Sequence, residues 1–167
     1  ALTHPERVEA LVLIGTAVRG APDPAESSTA VDRLVAAIDA AEESGDLAEV
    51  NRLEAHLWLD GPDGPEGRVG GEARSLFLEM NGRSLEAWDP GPEEPLPSTW
   101  DLLSEIPVPA LVAVGELDLP HIQARSATVS ARLPRGRLLV LRGVAHLPTL
   151  EGNDVLNREV CRFLAPP

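Results

Sequence analysis

Pro109-Ala-Leu-Val-Ala-Val114 runs into Gly115-Glu116-Leu117-Asp118, and Arg137-Leu-Leu-Val-Leu-Arg142 runs into Gly143-Val144-Ala145-His146. Each is an apolar run of strand length ending at a glycine, where the backbone can turn sharply into a loop. Between them Ile122, Ala124, Ala127, Val129 and Leu133 support a crossover helix, which Pro134 and Gly136 stop. Two strands joined by a helix are parallel neighbours, because a parallel connection has to cross over the sheet. In an open α/β sheet, residues just past the carboxyl ends of the strands converge on one crevice. The spacing therefore predicts that Asp118 and His146 face each other, acid before histidine in chain order.

Upstream, Val8-Glu-Ala-Leu-Val-Leu-Ile14 ends at Gly15-Thr16-Ala17 and reads as a third parallel strand, buried on both faces. No further strand signal follows until Pro109. Val31, Leu34, Val35, Ile38 and Ala41 mark an amphipathic helix, broken by Gly45. Asp46 and Glu49 resemble a capping box that opens a second helix with Leu47, Val50, Leu53 and Leu57 on one face. The prolines and glycines of Asp60 to Gly67 predict a mobile loop. A third helix is expected from about Glu72 to Leu85, with Ala73, Leu76, Phe77 and Met80 inward, and Asp89 to Pro97 reads as a stiff extended connector. After His146, Val155, Leu156, Val160, Phe163 and Leu164 form a last helix, with Cys161 expected as a small core residue. The fold class is thus α/β: three parallel strands, flanking helices and an inserted helical block. Residues 1–20 and 99–167 form the sheet core, the latter carrying acid and histidine, and residues 21–98 form the insertion.

The 167 residues, 43% of them apolar, suit one globular core or most of one. A net charge of −13 argues against a nucleic-acid partner, which requires a basic surface to displace counterions. Its acidic residues are scattered, as in Asp39 to Glu54 and Glu93-Glu94, and read as solvated faces and loops. No apolar run approaches the length of a membrane span. A single cysteine cannot form an internal disulfide and fits a reducing compartment, so a cytoplasmic location is expected.

The strand-Gly-Glu-Leu-Asp118 turn, the strand-Gly-Val-Ala-His146-Leu-Pro turn and the helical block before them resemble the C-terminal half of an α/β-hydrolase. Ala1 to Val8 resembles the tail of the helix that follows the nucleophile strand in that superfamily. The likeness is firm over 107–164 and loose over the insertion, which it identifies as a lid; within the superfamily it is most similar to lid-bearing esterases and enol-lactonases. It implies that His146 takes a proton from a nucleophile and returns it to the leaving group, while Asp118 fixes and stabilises the imidazole. It further implies a small-molecule substrate with an ester, lactone or related acyl bond, and no cofactor. Dehalogenation, epoxide opening, carbon–carbon cleavage and cofactor-free peroxidation stay open as chemistries of the same superfamily.

The nucleophile is not in this sequence. There is no Gly-x-Ser-x-Gly elbow. Ser44 lies between two helices, Ser98 in the Pro-rich connector, and Ser27, Ser28, Ser75, Ser84, Ser104, Ser126 and Ser130 in helical patterns. We expect the elbow, and with it the N-terminal half of the same fold, upstream of Ala1, so that the chain as written does not turn over. The competing reading is a non-catalytic remnant or interaction module of the same fold in which Asp118 and His146 are merely inherited; taken singly, Asp118 also fits a helix N-cap and His146 a satisfied loop histidine. His121 stands three residues after Asp118, but with no third ligand nearby no metal site is expected. His4 reads as a surface turn residue, His56 as a residue of the second helix on a partly exposed face or lining a pocket, Trp58 as packing the helical block on the sheet or covering the substrate, and Glu116 as pointing away or salt-bridging locally.

Overall fold

A computed structural model describes residues 1–22, 27–87, 91 and 98–165. Three parallel strands, β1 (Leu11–Ile14), β2 (Ala110–Gly115) and β3 (Gly136–Leu141), lie in the order β1-β2-β3. Leu11 stands opposite Ala110, and Ala110 opposite Gly136. Every residue of β2 is buried, as its continuous apolar run requires of a central strand. The run at 8–14 behaves differently from expectation: only Leu11–Ile14 enters the ladder, and its residues are half-buried. Among the described residues β1 is paired with another strand on one edge only. β3, also an edge, exposes Leu138 and Val140.

The crossover helix α4 (Pro120–Arg132) packs on β2 and β3. Ile122, Val129 and the following Leu133 are buried as predicted, but Ser126 and Ser130 complete the stripe, while Ala124 and Ala127 face solvent. Positions 122, 126, 129, 130 and 133 form one helical face, and small side chains there allow close approach to the sheet.

The insertion comprises α1 (Thr29–Ser44), α2 (Leu47–Glu54), a π-helical turn at Ala55–Asp60 and α3 (Gly71–Glu86). The Ser28 hydroxyl caps α1 by accepting from the Val31 amide, so Ser28 lies just outside the helix. Asp46 accepts from the Glu49 amide, but Glu49 turns to Arg52 instead of closing the box. Val31, Leu34, Ile38, Ala41, Val50, Leu53 and Leu57 form one core with Val114, Leu119 and Ile122. That core seats the insertion on the carboxyl end of β2 and the start of α4. Val35 and Leu47, expected inward, are exposed because the α1–α2 hairpin buries a narrower stripe on each helix. Leu76 and Met80 are likewise exposed, Met80 at 63%, since α3 turns only its Phe77 side to the π-helical turn.

Two further expectations are corrected. The segment 60–67 is pinned rather than mobile, because Asp60 is fully buried at its base. Its carboxylate accepts from the amides of Gly67 at 2.8 Å and Val69 at 2.9 Å and pairs with Arg74. Cys161 is exposed: α5 (Asp154–Leu164) buries Leu156 and partly buries Val160 and Phe163, and this rotation turns Val155, Cys161 and Leu164 outward. Of the expected connector 89–97, only Gly91 lies within the described residues. No helix among the described residues is long and apolar enough to cross a membrane.

Candidate functional site

The site grows from the carboxyl ends of β2 and β3. Beyond β2, the amides of Glu116 and Leu117 donate to the carbonyls of Leu141 and Val144 at 2.9 and 2.8 Å, so the acid turn is laced to the histidine loop. The approach is close. A Cβ at Gly115 would stand 2.2 Å from the Ala145 carbonyl oxygen and 2.3 Å from that of Val144, leaving room only for glycine. Glu116 is a local partner, its carboxylate accepting from the Gly143 amide at 3.0 Å.

Asp118 is 3% exposed. Oδ1 accepts from the Leu119 amide at 2.7 Å, and Oδ2 lies 2.9 Å from Nδ1 of His146, with Oδ1 at 3.1 Å from the same nitrogen. A local backbone bond and contact with the imidazole therefore coexist on one carboxylate. An ionised carboxylate only accepts, so Nδ1 carries the proton and donates it. In the neutral ring this leaves a lone pair on Nε2, to which no described group hydrogen-bonds.

Three further contacts fix the imidazole, whose side chain is 22% exposed. It rests on Gly15 at the end of β1, where a Cβ would approach Cε1 to 2.8 Å. Gly15 also has φ of +51°, which disfavours any side chain. The Trp58 indole lies against the ring with centroids 4.9 Å apart, and the His146 amide donates to the Trp58 carbonyl at 3.2 Å. All three strand ends and the π-helical turn thus meet at His146. An imidazole held this way can accept a proton at Nε2, and the buried carboxylate stabilises the cation that forms.

The remaining residues singled out from sequence fall elsewhere. His121 is close enough to Asp118 and His146 to interact electrostatically; burial, then Arg125, pushes its pKa below the ordinary histidine value, against an opposing effect of Asp118. No group of three metal-ligating side chains occurs among the described residues. His56, half-buried, bonds the Gly64 carbonyl at 3.0 Å, and the exposed His4 sits 3.7 Å from the exposed Glu6. Ser44 donates to the Ala41 carbonyl and Ser75 to that of Gly71. An open, mainly apolar cavity of about 550 Å³ borders Leu147, next to His146, and is lined also by Phe77, Met80, Asn81, Thr149 and Leu150. Sequence reasoning missed Arg68 and Glu151. Their only signal was a basic and an acidic residue in loops adjoining the site.

No protein-family model matches the sequence, and no curated protein matches it. Solved structures do. A thermophilic esterase from Thermogutta terrifontis superposes with a TM-score of 0.63 at 23% identity, over 98% of this chain and 58% of the esterase. A carboxylesterase from Bacillus subtilis gives 0.61 at 22%, over 98% and 54%. The 2-hydroxy-6-oxo-6-phenylhexa-2,4-dienoate hydrolase from Rhodococcus sp. strain RHA1 gives 0.59 at 19%, over 97% and 57%. The chain therefore has the α/β-hydrolase fold in part, spanning less than two thirds of the length of these structures.

Proposed function

We propose that these residues are the acid–histidine portion of an α/β-fold hydrolase that cleaves a small ester, lactone or related acyl bond. His146 acts as general base and then general acid through Nε2, and Asp118 holds its tautomer and stabilises the imidazolium. The serine-type nucleophile and the oxyanion donors come from sequence outside the 167 residues, in the N-terminal half of the same fold. Residues 21–98 serve as the lid over the substrate, and no cofactor is needed for this proton chemistry. A cytoplasmic location agrees with the single cysteine.

One observation carries the reading: the buried Asp118 carboxylate is bonded to Nδ1 of His146 at the carboxyl ends of adjacent parallel strands, with no hydrogen bond to Nε2 among the described residues. The esterase neighbours favour acyl chemistry. The half-open sheet beside β1 supports a complementary half as partner.

The test is hydrolysis of p-nitrophenyl esters and simple lactones by the product of the entire gene that encodes this sequence. His146→Ala is expected to lower kcat/KM by about three to four orders of magnitude with the fold intact. Folded variants that hydrolyse at the parent rate would remove His146 from catalysis. No turnover by the entire product on any acyl substrate would instead favour an interaction module.

A further inference from the structure

One guanidinium reaches the histidine loop from the helical insertion. Arg68, in the pinned segment that follows the π-helical turn, uses all three of its nitrogens. Nε donates to the Asp60 carbonyl at 2.7 Å, Nη2 to the Leu59 carbonyl at 2.7 Å, and Nη1 to the Gly143 carbonyl at 3.0 Å. Nη2 also pairs at 2.8 Å with Glu151, whose side chain is 8% exposed. The other oxygen of Glu151 accepts from the Ala145 amide at 2.8 Å. The His146 amide is taken by the Trp58 carbonyl, one residue before Leu59, the first of the Arg68 contacts on the π-helical turn. Three backbone groups flanking the imidazole, at Gly143, Ala145 and His146, are therefore tied directly or through Glu151 to residues 58–68.

The contact is tight. Gly61, in the same turn, packs where a Cβ would lie 2.5 Å from the Leu117 carbonyl oxygen of the acid turn and 3.5 Å from Ala145. Arg68 is itself aimed by the turn that Asp60 anchors, since Asp60 binds the amides on either side of it, those of Gly67 and Val69. A planar fork with fixed donor directions suits this task, because it sets several carbonyls in one geometry at once.

We propose that Arg68, acting with Glu151, is a positioning residue for His146: it clamps the histidine loop to the helical insertion and so couples the placement of the imidazole to that insertion. The inference rests on the reading of His146 as the general base, and it deepens that reading by making the insertion part of what orients the base. Arg68 touches no reacting atom. Its effect passes through the backbone of Gly143 and through Glu151 to Ala145.

The test reads the position of the imidazole without needing turnover. Diethyl pyrocarbonate acylates unprotonated imidazole nitrogen, and mass spectrometry gives a rate for each histidine of the protein. Arg68→Met keeps the aliphatic stem and removes the fork; we expect His146 to be modified at least about five-fold faster, with His4 unchanged and a native circular-dichroism spectrum. Arg68→Lys, which keeps the pair with Glu151 but not the fork, is expected to restore part of the protection. Glu151→Gln preserves an acceptor for the Ala145 amide while removing the charge facing Arg68; a rise of about two-fold or more is expected. This milder variant decides the matter if Arg68→Met does not fold. Unchanged His146 rates in a folded Arg68→Met, or in Glu151→Gln where that variant decides, would overturn the clamp. Equal rates in the Lys and Met variants would also overturn it, by showing that the fork and charge do nothing specific. The hydrolase reading is tested separately by His146→Ala kinetics, so the failure of either is told from that of the other.

Discussion

A carboxylate buried as deeply as Asp118 is costly unless each oxygen finds a donor, and here the Leu119 amide and the His146 imidazole supply them. In the proposed hydrolase the same pairing makes the imidazole a directed base. Asp118→Asn offers an amide that can donate to Nδ1 and favour the other tautomer, so an entire enzyme should lose about four orders of magnitude in kcat while staying folded. Gly15→Ala should cost about 1–2 kcal/mol for a side chain at positive φ and should push the ring off the end of β1. Chemical denaturation gives the first quantity, and a structure of the variant with Asp118 and His146 still bonded would refute the second. His121 gives a pH signature. Burial and Arg125 hold it below its ordinary value of 6.5, so the unfolded chain binds a proton where the folded one does not. This contribution to stability is complete above 6.5, declines as the pH falls through that value, and levels off once the folded histidine also protonates. His121→Gln should flatten the slope of urea-derived stability as the pH falls below 6.5; an unchanged slope contradicts the assignment.

At the scale of elements, the pinned segment after the π-helical turn depends on Asp60. Removing one member of a buried ion pair strands the other, so Asp60→Ala should cost about 3–5 kcal/mol and release residues 61–69 to rapid amide exchange. Slow exchange there in a folded variant would show that Asp60 is not the anchor. This segment also shows where sequence stops being informative. Its prolines and glycines read as a loop, which is right, but no local signal says that Asp60 is buried or that Arg74 and Arg68 reach back to it. Partners far apart in sequence are invisible to periodicity. The strand runs were legible for the opposite reason: at 110–115 the apolar stretch and its glycine end are local, and they sufficed to place Asp118 beyond β2 and His146 beyond β3. Helix faces fell between these extremes. Val31, Leu34, Ile38 and Ala41 declared the buried stripe of α1, whereas Val35 shares the period but lies just past the edge of the contact. Cys161 was misplaced because the pattern of α5 allows more than one rotation, and packing selects the one that buries Leu156.

For the molecule as a whole, the three-stranded sheet is covered unevenly. β2 is enclosed, while β1 has an unpaired edge among the described residues and β3 exposes Leu138 and Val140. An open strand edge is a template for pairing, and a net charge of −13 opposes such association through long-range repulsion. The polypeptide 1–167 should therefore self-associate increasingly as salt screens that repulsion, read by sedimentation velocity. A monodisperse monomer at all salt concentrations would contradict an available edge. What joins sheet, insertion and site is the single side chain on which they converge. Nitrogen-15 NMR of the His146 imidazole reads its state in solution. The expected spectrum is a ring protonated at Nδ1, with Nε2 bearing the lone pair, whose Nδ1 proton signal disappears in Asp118→Asn. A ring protonated at Nε2, or one indifferent to that substitution, would show that Asp118 does not hold the histidine as a base.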